Sequence, residues 1–148
     1  MFCTRSVGLC ALSVLRRSPC RVGEASLTKT RGLDNAEAKF NQASLGERGK
    51  FERETLSNFG GRTSRSVGKV TGDGQNELIV VTVIAAIDGK VQPADLHDQQ
   101  SLKENLDLLG SVPTDNLLAL EVLWTPQDDN DYFTKDELVS DYPTLNVL

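Results

Sequence analysis

No stretch of this 148-residue chain is apolar for long enough to cross a membrane as a helix. The longest, Leu78–Ile87, holds ten residues with Thr82 among them, where a span needs roughly 20. Cysteine is scarce. Cys3, Cys10 and Cys20 are spaced by seven and ten residues, which fits no common zinc or dithiol motif, and an odd number cannot close into a disulfide framework. Five Pro and twelve Gly exclude collagen-like and low-complexity chains. Aromatics make up only 5%, and no RNA-stacking aromatic signature sits among the basic residues. The single His, His97, has Asp95 and Asp98 nearby but no Ser or Cys in a nucleophile motif, so a catalytic triad is not signalled. What is present, 39% hydrophobic and 25% charged residues, describes one soluble globular domain with some chain left over.

Charge divides the chain. Residues 1–70 hold 13 Lys and Arg against 6 Asp and Glu, net +7, while residues 71–148 hold 3 against 15, net −12. Such asymmetry bears on association rather than on fold. Either the basic half packs near the acidic half of the same molecule, or it meets an anionic surface such as a membrane. Nucleic acid is disfavoured because the basic residues are scattered. The first 23 residues contain Arg5, Arg16, Arg17 and Arg21, all three cysteines and no acidic residue. Three readings stay open there: an organelle transit peptide, a short secretory apolar region over Val7–Leu15, or the poorly ordered remnant of a longer protein's helix. Residues 1–32 are accordingly expected as a basic segment, targeting-like or poorly ordered.

Further along, Asp34 can cap a helix through Phe40 to about Ala43. Ser44-Leu-Gly-Glu47 reads as a capping box opening a second helix to about Asn58, ended by Gly60–Gly61, so residues 33–59 form a helical segment. Gly46 and Gly49 weaken its first turns. Residues 60–76 contain five Gly and almost no large apolar side chain, the composition of a flexible linker. Their Gly68–Lys69 is a phosphate-loop near miss: Thr63 stands where the first glycine belongs and Val70 where Ser or Thr is needed. Leu78–Ile87 is continuous and β-branched, as in a strand covered on both faces. Asp98 caps a helix carrying Leu102, Leu106 and Leu109, with Gly110 as a left-handed terminus and Pro113 beyond it. Leu117–Trp124 alternates, with Leu118, Leu120, Val122 and Trp124 on one face. Thr134-Lys-Asp-Glu137 opens a last helix to about Asp141. The expected class is α+β, or small α/β: a βαβ-like, right-handed parallel unit with a C-terminal helix over residues 77–148, preceded by two helices and the Gly-rich linker.

The acidic turn Asp128-Asp-Asn-Asp131 invites a calcium loop, but Tyr132, Phe133 and Val139 occupy positions that such a loop needs for a ligand, a glycine and a bidentate glutamate. It reads better as a solvated turn before a helix N-terminus. Nothing assembles for hydrolysis, phosphoryl transfer or redox chemistry, so no catalytic, cofactor-binding or metal residues and no small-molecule substrate are assigned. Trp124 is either buried against Leu102 and Leu106 or an interface anchor. The candidate partner surface is Glu121, Trp124, Asp128, Asp129, Asp131 and Tyr132, large amphipathic and acidic groups beside a polar loop.

Four segments occur together in this order: Leu45-Gly-Glu-Arg-Gly-Lys-Phe51 with Glu54-Thr-Leu56, Ile79-Val-Val-Thr82, Glu121-Val-Leu-Trp-Thr-Pro-Gln127, and Glu137-Leu-Val-Ser-Asp-Tyr-Pro143. Over roughly residues 33–148 the chain thereby resembles the domain-of-unknown-function 1517 family of plastids and cyanobacteria, to which the fluctuating-light acclimation proteins of chloroplasts belong. The resemblance implies a chloroplast protein, associated with the thylakoid or envelope membrane, without known catalysis and linked to photoprotection when light fluctuates. Family members carry a long Gly-rich and apolar N-terminal region with a membrane segment; here only Ala11–Arg17 is similar to their Leu-rich helix, so the chain reads as truncated at its N-terminus. Gly46 stands where a charged residue is more usual. The expected function is a non-enzymatic plastid regulatory or interaction protein with a protein partner or membrane surface. The alternative is a basic-surface adaptor for anionic lipid or a protein.

Overall fold

The computed structural model describes residues 4–15, 22–57, 78–125 and 135–148, with the side chains of residues 22–50, 80–124 and 138–148. Strands β1 (Thr4–Leu15) and β2 (Val22–Arg31) precede helix α1 (Leu33–Ser57). Strand β3 (Leu78–Asp88), helix α2 (Gln99–Gly110), a 3-10 turn (Thr114–Asn116) and strand β4 (Leu117–Thr125) follow. Helix α3 (Lys135–Asp141) and strand β5 (Asn146–Val147) close the chain. The strands form one antiparallel sheet in the order β4-β3-β1-β2-β5. The class is α+β.

The apolar run 78–87 is a strand as expected, and it is covered on both faces. On one face Phe40 and Ala43 of α1 pack with Ile84 and Ala86, while Leu138 of α3 and Tyr142 just after it pack with Val80. On the other, Leu96 and Leu102 gather Val81, Val83, Ala25, Leu109 and Leu148. Strands present alternate residues to opposite faces, so the unbroken sequence of β3 serves a helix layer on each side.

Four expectations are corrected. The N-terminal segment is neither a poorly ordered end nor a helix remnant: β1 is the middle strand, with Arg5–Leu15 in register with Asp88–Leu78 on one side and Thr4–Leu12 with Arg31–Gly23 on the other. It supplies the pairing without which a two-stranded ribbon of β3 and β4 would be marginal. Strands from both ends of the chain, β1 and β2 with β3, β4 and β5, therefore build one sheet. The linker expected over residues 60–76 lies outside the described residues.

The two helices expected at 34–43 and 45–58 are one helix, Leu33–Ser57. Ser44 and Glu47 do not cap an N-terminus because both turn to the sheet: Thr82 donates to Glu47 Oε2 at 3.3 Å, and the Ser44 hydroxyl bonds Glu121. Packing carries the helix through a spacing that, in isolation, reads as a start. The true start is set by Gly32, at φ 82, whose carbonyl accepts from the Ala36 amide at 3.2 Å.

The βαβ unit is not parallel. Strands β3 and β4 pair directly and antiparallel, Val83 facing Val122 and Ile87 facing Leu117. The cause is the 28-residue connection between Asp88 and Leu117, which runs out and back. Residues 90–97 lie along α2, pinned where Asn105, 3% exposed, accepts from the Ala94 amide at 2.7 Å and donates to its carbonyl at 2.9 Å. The chain thus re-enters the sheet at the end it left, and Gly89 lies beside the Asn116 side chain. Asp98 does cap α2, accepting from the Ser101 amide at 2.7 Å. Gly110 is not left-handed; Ser111, at φ −86, ends the helix instead.

Candidate interaction surface

Strand β4 is the end strand of the sheet, and its alternation sorts its side chains by face. Ala119 and Leu123 pack on the Ile84–Ala86 cluster beneath α1, and Glu121, in register with Ile84, shares that face. Leu118, Leu120, Val122 and Trp124 point to the opposite face and are 38%, 54%, 47% and 54% exposed. At about 3.4 Å per residue they form an apolar stripe about 20 Å long. No strand among the described residues pairs with the outer edge of β4.

Two of the sequence-derived surface residues are described, and the structure separates them. Trp124 stands on the exposed stripe, not against Leu102, which packs with Leu96, Val81 and Val83. Glu121 faces α1, its side chain 15% exposed, in an ion pair with Arg48, whose Nε donates to Oε1 at 3.0 Å. The Ser44 hydroxyl, then the Arg48 guanidinium, hold the Glu121 carboxyl below its ordinary value against the opposing effect of burial. The neighbouring groups extend this polar contact: Lys50 donates to Glu47 at 2.8 Å and lies 3.7 Å from the ring centroid of Tyr142, a cation–π geometry. These contacts join α1 to β3, β4 and the residue that follows α3. Glu121 therefore fastens the helix to the sheet. Asp128, Asp129, Asp131 and Tyr132 lie outside the described residues.

The sequence reading missed Leu118, Leu120 and Val122 as surface residues, although their shared face was legible. Alternation reports which side chains share a face and not whether anything covers it. The other long edge differs in kind. Strand β2 carries Glu24, Lys29 and Arg31, the charges by which edges resist pairing, whereas β4 has no charge except the Glu121 already paired to Arg48. Among the described residues no three His, Cys, Asp or Glu side chains converge as a metal site would require, and no helix is long and apolar enough to cross a membrane.

Comparison with known proteins gives a consistent assignment. The profile of the family described as protein of unknown function DUF1517 matches residues 8–148. A Synechocystis protein named Protein FLAP1 homolog A is 41% identical over 146 residues, covering 93% of this chain and 44% of the relative. The Arabidopsis thaliana protein named FLUCTUATING-LIGHT-ACCLIMATION protein 1, chloroplastic, is 42% identical over 118 residues, covering 78% of this chain and 30% of the relative. The chain thus spans less than half the length of either. No solved structure matches it.

Proposed function

The chain belongs to the DUF1517 family, and we infer that it is a non-enzymatic module acting in plastid acclimation to fluctuating light by docking a protein partner. One observation carries the docking: four large apolar side chains of β4, Leu118 to Trp124, stand about half exposed on an end strand. Contiguous exposed apolar surface of that kind marks interaction sites. The name of the Arabidopsis relative supports the setting. In this reading the module serves photoprotection beside the thylakoid or envelope membrane. Attachment of its basic half to anionic lipid is the weaker reading, because Arg48 and Lys50 are engaged by Glu121 and Glu47.

A domain exchange tests the reading. Residues 8–148 replace the matching segment of the Arabidopsis relative in plants lacking it, and growth and chlorophyll fluorescence are followed under steady and fluctuating light. The wild-type segment restores the response, whereas Leu120→Asp with Trp124→Ala accumulates to the same level and fails under fluctuating light. Full rescue by the stripe variant would remove docking at β4 from the function.

A further inference from the structure

Resting on the reading of β4 as a docking surface, we propose that its occupant is a basic, strand-forming segment of a partner protein, which lies along β4 with apolar side chains over the stripe and Lys or Arg flanking them. Three observations converge on that chemistry. The outer edge of β4 has no strand partner among the described residues, so its amides and carbonyls can extend the sheet by strand addition. The stripe Leu118, Leu120, Val122 and Trp124 repeats every second residue, the spacing at which an extended partner presents its own side chains. The charge around the strand is acidic: Asp115, exposed in the 3-10 turn that leads directly into β4, belongs to a half of the chain, residues 71–148, that carries 15 acidic against 3 basic residues.

The same charges disfavour two other occupants. A second copy adding β4 to β4 sets the same acidic half of the sequence, net −12 over residues 71–148, against itself. Like charges then oppose one another. An anionic membrane meets the same repulsion. A segment with Lys or Arg flanking alternate apolar residues meets neither obstacle, and main-chain ladder bonds supply its register.

Trp124 is the sole tryptophan, so the stripe contains its own reporter. The probe is the decapeptide Lys-Lys-Val-Thr-Val-Thr-Val-Thr-Lys-Lys, titrated into the full chain while tryptophan emission is followed, with a control in which Glu replaces each Lys. A saturable blue shift is expected with the Lys peptide, weakened several-fold at high salt, and at least about tenfold weaker with the Glu peptide. Leu120→Thr with Val122→Thr retains strand propensity; far-UV circular dichroism remains unchanged while affinity falls about tenfold. Equal binding of both peptides, no response to either, unchanged affinity in the Thr variant, or a dimer with Trp124 already shielded would each overturn the proposal. If the peptides fail while the stripe variant still abolishes plant rescue, the basic strand is rejected and the docking surface stands. Rescue by the stripe variant rejects both.

Discussion

Single side chains decide how the layers hold together. Glu121 faces α1 beneath Ser44 and Arg48, and these partners favour its charged form. A carboxyl depressed in the folded state stabilises above its ordinary value of 4.5 and loses that contribution as pH falls through the folded value. Glu121→Gln is accordingly expected to cost about 1–2 kcal/mol at pH 7, with the gap to wild type closing under acid; chemical denaturation at several pH values measures it. Asn105 works differently, by satisfying both backbone groups of Ala94. Asn105→Leu strands a buried donor and acceptor, with an expected loss of about 2–3 kcal/mol by urea unfolding. Neither role was legible in the sequence. Glu121 read as a surface acid because its cation lies 73 positions away, and Asn105 sits unmarked between helical leucines.

Among the elements, α1 is where local signals and tertiary packing disagree. Ser44, Gly46 and Gly49 all argue for a break near the middle, yet the helix is continuous over 25 residues. A Cβ at Gly46 would meet nothing within 4 Å, so Gly46→Ala should stabilise the protein by about 0.5–1 kcal/mol, read as a raised urea midpoint. Gly32 at φ 82 is the opposite case, and alanine there should destabilise. The remaining elements divide by the range of their causes. The caps of α2, the span of α3 and the alternation of β4 follow from neighbours within a few residues and could be read directly. The direction of β4 could not, because it depends on residues 90–97 doubling back along α2, which no periodicity records.

For the whole molecule, the largest gap between sequence and structure is β1. Its apolar run is too short to be told from a helix segment by pattern alone, and Arg16–Arg17 behind it is also the pattern of a leader's flank. Its identity as a strand comes from β3, more than sixty residues later in the chain, and a contact that remote leaves no local trace. The two charged halves meet through Arg48 and Glu121, so the opposed charges counted in the sequence are partly spent inside one fold. Beyond them, the acidic half contains an edge strand, β4, whose outward face is apolar.

The surface character of that face rests most directly on Trp124, and a comparison of two alanine variants by thermal unfolding tests it. Ile84→Ala, at a position 0% exposed in the sheet centre, should cost about 3–4 kcal/mol, lowering Tm by about 8–15 °C for a domain of this size. Trp124→Ala, at a position 54% exposed, should cost about 1 kcal/mol or less and leave Tm within about 4 °C of wild type. A fall for Trp124→Ala as large as that for Ile84→Ala would place the tryptophan in the core and contradict a docking role for β4.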